Sequence, residues 1–382
     1  MPTPSLLIVP ARFKSGKLYS QIPTSGAGDF TVTRATAATR VNASGLIESV
    51  ASGIPRLDYF ASGGTVGCPS LLVEPAATNF ARGVQLLNTP TPATASGGIT
   101  ITTGSTDFLA PDGSSGTITK YVGGTASGNI FIEYASSTSV SASGVHTFSA
   151  FVKTGATNPL TFCALQFSQY TAASGTATSY FNLASGTALT AGATIQNYGN
   201  GWYRIISAPY TIAAGDLAGS IRLIFAEADN DINWPASGAL NLTLYAWGIQ
   251  LEAGSVATSY IPTTTGSVTR NADVVSVSGA VSGSIGQTEG TIYAEVDVRN
   301  ITAGKNILST DDGSTSNRVS LFVDPSPNRL TAVISSGGTG TFVSGSVTTG
   351  VHKIAVSYAS GDVQVFLNGG FLASGIPTLF PS

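Results

Sequence analysis

At 382 residues the chain is longer than the roughly 250 to 300 that a single core holds, so two or three domains are expected. Only 10% of residues are charged, against roughly 25% in an ordinary domain, and the formal net charge is −3. No basic stripe exists to neutralise phosphates, which argues against nucleic acid, and no apolar run reaches the eighteen or so residues of a membrane-spanning helix. With 45 Gly and 18 Pro among abundant Ser, Thr and Ala, few stretches could hold a helix of three turns, and the expected class is all-β.

In chain order, residues 1–82 form an irregular region in which short apolar pieces, Leu6 to Val9 and Leu71 to Val73, alternate with turn-rich polar stretches. Such a region cannot build a large core of its own. The apolar SLLIVP precedes its positive charges, Arg12, Lys14 and Lys17, which is the reverse of a secretory signal.

Residues 83–268 carry FLAPDGSSGTITKYV, HTFSAFVKTG, GWYRIISAPYTI, IRLIFAE and LTLYAWGIQLE. These predict strands of five to nine residues separated by Gly, Ser and Asn turns, about eight in all, enough for a two-sheet jelly roll. In the last strand Leu242, Leu244, Ala246 and Gly248 are expected on one face and Thr243, Tyr245, Trp247 and Ile249 on the other. A polar strap rich in Pro and Thr follows.

Residues 269–382 carry TEGTIYAEVDV, NILSTDDGSTSNRVSLFV, NRLTAVIS, VHKIAVSYASG and DVQVFLNGG, a second set of alternating strands. Asn368-Gly369 signals a type I′ hairpin. Val32-Thr33-Arg34 is echoed by Val268-Thr269-Arg270, which suggests that Arg270, like Arg34, anchors a strap.

Three strings of the first region, DFTVTRATAATRVNASGLIE (Asp29 to Glu48), PRLDYF (from Pro55) and CPSLLVEPAATN (Cys68 to Asn79), resemble in this order the N-terminal part of head-spike or head-fibre proteins of tailed bacteriophages and of some tail-fibre relatives. LTLYAWGIQLEAGSVATSYIPTTTGSVTRNADV (Leu242 to Val274) resembles the segment that closes their carbohydrate-binding-module-like jelly roll. The third region is similar to a laminin-G or concanavalin-like lectin sandwich, which usually continues with more strands after such a hairpin. The sequence therefore reads as a fragment of a longer fibre, or as a sheet completed by a partner chain.

The resemblance implies a virion-attachment segment (1–82), a jelly roll (83–268) and a lectin-like domain (269–382). It also implies a homotrimer, and a surface low in charge fits cover by neighbouring subunits. The first segment is then expected to gain its order from other virion proteins, and a chain beginning near Gly83 to fold without it. Arg34, Arg40 and Arg56 have two readings: hydrogen bonds to carbonyls within the segment, or docking to an acidic capsid or collar surface.

Catalytic signals are weak. His146 and His352 both sit in Gly-Val-His at a strand start and read as a recurring strand-entry position. Glu295 and Asp297 lie two apart on one strand, as in an E-x-D-x-x-E glucanase strand, but Asn300 stands in the third place. Cys68 and Cys163 read as small buried apolar residues.

The run Asp229-Asn230-Asp231-Ile232-Asn233 offers a D-x-D-x-N spacing in which Asp229, Asp231 and Asn233 could hold calcium, and otherwise reads as a polar turn. No other cofactor is called for. Trp202 and Trp247 are expected in the core, whereas Trp234, between a polar loop and Pro235, is the large aromatic expected to stand exposed. With Asp229, Asn230 and Asp231 it forms the candidate glycan site. The expected function is that of a non-enzymatic structural protein of the virion, a head-attached fibre or spike with capsid or other virion proteins as partners. The alternatives are a tail-fibre adhesin that recognises host-surface glycans and a polysaccharide hydrolase.

Overall fold

The computed structural model describes residues 3–61, 66–81, 92–139, 143–168, 176–214, 218–235, 238–263, 266–277, 286, 288–299, 305–324 and 328–377. Every regular element among them is a β-strand, and the class is all-β as expected. No helix of the described residues is long and apolar enough to cross a membrane. The chain divides into two compact units, one of residues Ile8–Val277 and one of Met1–Leu7 with Ser278–Ser382.

The larger unit is built on a sandwich of two antiparallel seven-stranded sheets. One sheet runs in the order Thr100–Ser105, Ile118–Val122, Thr243–Ala253, Gly144–Thr154, Tyr203–Ile206, Thr194–Asn197, with Tyr210–Ile212 also paired to Gly144–Thr154. The other runs Thr187–Ala188, Ala177–Asn182, Phe162–Ser168, Ala218–Ala226, Gly128–Ser139, Asn233–Trp234, with Pro92–Ala95 also paired to Gly128–Ser139. Strand alternation explains the core, because every second residue meets the opposite sheet. Phe148, Ala150 and Val152 face Cys163, Leu165, Phe167, Ile221, Leu223 and Phe225. Tyr121 and Tyr134 join across the core through their hydroxyls at 2.8 Å, and burial pushes the Tyr121 phenol up to about 12.

The strand Thr243–Ala253 departs from the expected alternation at one point. Leu244 and Ala246 face the core and Tyr245 and Trp247 the far side, but Ile249 turns inward with Leu251. Gly248, at φ 58°, makes the bulge that shifts the phase. A Cβ there would lie 2.9 Å from the Phe151 ring, so glycine is needed both for the backbone angle and for the close approach.

The far side of that first sheet is roofed by the N-terminal region. Val41 and Ile47, on the hairpin of Ala38–Val41 and Ile47–Val50, pack on Ile118, Phe151, Trp202, Tyr245, Trp247 and Tyr260. The ring centroids of Trp247 and Tyr260 lie 4.6 Å apart, and those of Phe151 and Trp247 5.3 Å. The expectation that this region depends on other virion proteins for its order is thus corrected: its small core, Leu18, Val32 and Leu57, is supplemented by the jelly roll and the strap of the same chain. Val268–Arg270 pairs with Ala77–Asn79, and Val274–Ser276 with Phe30–Thr33. The buried Asn79 amide donates to the Ile249 and Ile261 carbonyls at 3.1 and 2.9 Å and accepts from the Leu251 N–H at 3.0 Å. It ties the bulged strand to the strap.

The second unit is a sandwich of two four-stranded sheets. One has the order Gly290–Val298, Gly350–Ala359, Asp362–Leu367, Gly370–Gly375; the other has Lys305–Asp311, Arg318–Asp324, Arg329–Ser336, Thr339–Ser346. Leu330, Ala332, Ile354, Val356 and Val365 lie at its centre. Asn368 and Gly369, at φ 52° and 84°, make the type I′ turn that their sequence signals.

Candidate functional site

The N-terminal region covers one sheet of the jelly roll, and the outer face of the other carries a smaller packed cluster of Ala164, Tyr180, Ile224 and Ala226 with Phe131, Phe162, Leu189 and Ile232 against it. Adjacent strands there are in register, so residues directly opposite share that face. Glu133, Arg222, Gln166 and Thr178 form one cross-strand row. Arg222 Nε donates to Glu133 Oε2 at 2.7 Å, Ser220 Oγ donates to the same oxygen at 3.1 Å, and Gln166 Nε2 donates to Thr178 Oγ1 at 2.9 Å.

The next row is Phe131, Ile224, Ala164 and Tyr180. Two rings stand at its ends, and the aliphatic Ile224 and Ala164 lie between them. The Arg222 guanidinium lies 4.2 Å from the Phe131 ring centroid, which holds both side chains in place. Burial raises the Tyr180 phenol, and the carboxylates of Asp231 and Asp229 raise it further. Ile232 packs against the cluster that holds Tyr180, so the Asp229 loop borders this face. Tyr180, Ile224 and Ala164 are buried, which leaves the half-buried Phe131 as the ring open in part to a ligand, beside Arg222 and its fixed acceptors; a sugar unit suits such a place, since its apolar face stacks while its hydroxyls hydrogen-bond.

Within the loop, Asn230 takes a left-handed conformation at φ 57°, and Asp231 Oδ1 accepts the Asn233 N–H at 2.8 Å, an Asx turn. No group of three or more His, Cys, Asp or Glu that could hold a metal ion occurs among the described residues. Asp229, Asp231 and Asn233 serve the turn, and the calcium expectation gains no further ligand.

Trp234 does not stand free as expected. Its ring packs on the sandwich core, and its indole N–H donates to the Phe225 carbonyl at 2.7 Å. Trp202 and Trp247 are buried as expected, under the N-terminal roof.

Of the two readings of Arg34, Arg40 and Arg56, bonds within the segment or docking to an acidic surface, the first describes what they do here, with carboxylates as well as carbonyls as partners. Arg34 pairs with Asp273 at 2.8 Å and donates to the Thr36 and Ala51 carbonyls. Arg56 pairs with Asp273 and with Glu74, the latter at 2.9 Å. Both guanidiniums are buried, and Arg40 pairs with Glu48 at 2.6 Å. Arg270 joins the cluster at 3.4 Å from Glu74 and 3.9 Å from Asp273, so both Val-Thr-Arg strings reach Asp273. Burial works against the Glu74 charge, but Arg270, Arg56 and Ser259 outweigh it and hold the carboxyl down at about 2.

The histidines occupy matching strand entries. Gly144 and Gly350 have φ of 125° and 124°, and the rings bond to nearby carbonyls, His146 to Gly144 at 3.0 Å and His352 to Thr348 at 2.9 Å. Glu295 and Asp297 lie on an exposed strand face, with Asp297 2.8 Å from Arg299. Cys163 is buried, whereas Cys68 is exposed, against expectation, because its strand alternates with Gly67 and Pro69 turned inward.

The chain matches no protein-family model and no curated protein. Among solved structures it is similar to the mouse laminin alpha1 chain, domains LG4-5, at 10% identity over 66% of this chain and 76% of that one, with a TM-score of 0.17. A superposition of that quality carries no argument about function. The chain's own architecture stands by itself: an all-β protein of two sandwiches, one with a sheet face lined by rings and hydrogen-bonding side chains.

Proposed function

We propose that the chain is a non-enzymatic surface protein of a tailed-phage particle, anchored through its N-terminal region, whose jelly roll binds glycan. What supports the binding reading is the pair of adjacent rows on the outer face of the second sheet, Glu133–Arg222–Gln166–Thr178 beside Phe131–Ile224–Ala164–Tyr180, where Phe131, Arg222 and Thr178 are half-buried and the others buried. The phage reading rests on the three strings between Asp29 and Asn79. The N-terminal region leaves Val9, Phe13, Val66 and Val73 exposed, and these apolar side chains supply an attachment surface in place of the arginines. A head-attached fibre is favoured by the same strings; a tail-fibre adhesin would use the same sheet face.

Two measurements test this. Antibody labelling of imaged particles should place the chain on the virion surface, and its absence from purified particles would end the phage reading. A glycan array with the intact chain should show retention that Arg222→Ala removes. Release of reducing sugar from any retained glycan would point to the hydrolase alternative.

A further inference from the structure

A second arrangement of rings lies on the smaller unit, on the outer face of the sheet Gly290–Val298, Gly350–Ala359, Asp362–Leu367, Gly370–Gly375. Tyr293, Ala355, Phe366 and Phe371 form one cross-strand row. Tyr293 is 60% exposed and Phe371 63%, large values for rings on a sheet whose other face is packed. Phe366 and Phe371 meet edge to face with centroids 6.0 Å apart. Tyr293 is separated from Phe366 by Ala355 alone, which leaves a dip between two platforms two strands apart, roughly 10 Å by strand spacing.

The neighbouring rows are hydrogen-bonders. On one side run Thr291, Ser357, Gln364 and Ser374. On the other, Glu295 lies opposite Lys353, so the two charges offset each other and the face selects no net charge in a ligand. Next to them Asn368 Oδ1 accepts the Lys353 N–H at 2.9 Å.

We infer that this row is a glycan-binding platform for an extended, neutral, β-1,4-linked hexopyranose chain, with alternate sugar units stacked on Tyr293 and on the Phe366–Phe371 pair. Two rings at the reach of a disaccharide, a small residue between them, and hydroxyl, amide and oppositely charged side chains on both sides together fit such a chain. The platform uses none of the jelly-roll residues and stands whether or not that face binds.

The probes are cellohexaose and chitohexaose, titrated into the intact chain while tyrosine fluorescence and heat are followed. At least one should bind. Tyr293→Ala and Phe371→Ala should each weaken that binding at least tenfold with the melting temperature nearly unchanged, because exposed rings contribute little to folding. Arg222→Ala, on the jelly roll, should leave it unchanged, which separates this platform from the jelly-roll reading. Binding of neither hexaose overturns the inference, as does binding that survives both ring substitutions. Conversion of an oligomer to monomer by Tyr293→Ala, without glycan binding, would overturn it too and make the row a contact between copies of the chain.

Discussion

At the scale of single residues, the cluster of Arg34, Arg56, Arg270, Glu74 and Asp273 fixes the strap to the N-terminal region. Glu74 has a folded-state value below its ordinary one of 4.5, so its contribution to stability is present above about 4.5 and is lost as pH falls toward about 2. Acid melts of the wild type should therefore lose on the order of a few kcal/mol across that window. Glu74→Gln should be less stable at neutral pH and flatter across the window; an identical acid profile for the two proteins would remove Glu74 from the latch. Sequence showed that Arg34 and Arg270 occupy similar strings, but Asp273 lies 239 residues from Arg34 and 217 from Arg56 in the chain. No local pattern carries such a pairing.

At the scale of elements, alternation located the strands of the jelly roll and the Asn368-Gly369 turn well, because period and turn chemistry are local properties. It misjudged Ile249, where the bulge at Gly248 depends on the approach of Phe151 and Tyr260. It also misjudged Trp234, whose exposure was inferred from polar neighbours although the strand Asn233–Trp234 pairs with Gly128–Ser139 and turns the ring to the core. Trp234→Ala is accordingly expected to cost about 2–4 kcal/mol of stability, less than a fully buried Trp at the upper end. Chemical denaturation would check this; an unchanged midpoint would show the ring to be a free platform.

The roof gives a second prediction at this scale. Removal of residues 1–82 uncovers Phe151, Trp202, Tyr245 and Trp247, rings of about 150–250 Å² each, and strips the partner strands of Val268–Arg270 and Val274–Ser276. The shortened chain should aggregate or bind a hydrophobic dye strongly, where a free-standing jelly roll would remain soluble and dye-silent. The sequence described this region as too poor in apolar residues for a core, which is right for Leu18, Val32 and Leu57 alone. What covers it could not be read, since the far side of a sheet looks the same in sequence whether it meets water or another segment.

At the scale of the whole molecule, low charge and abundant small side chains suit surfaces that pack without stranding ions, and we expect a homotrimer. Native mass spectrometry should show three copies; a stable monomer at micromolar concentration would contradict this. The class of the fold was legible from composition because so many Gly and Pro leave little room for helices. The face proposed to bind sugar was not, because Glu133, Gln166, Thr178 and Arg222 come from four strands and meet only through register.

The central claim is that this face binds sugar, and the most direct test is a glycan array run in parallel on the wild type, Arg222→Ala and Phe131→Ala, each with its melting temperature. The account predicts retention of host-surface glycan by the wild type and its loss in both variants, with all three proteins folded. Retention unchanged in both folded variants, or none by the wild type on any host-surface glycan, would contradict it.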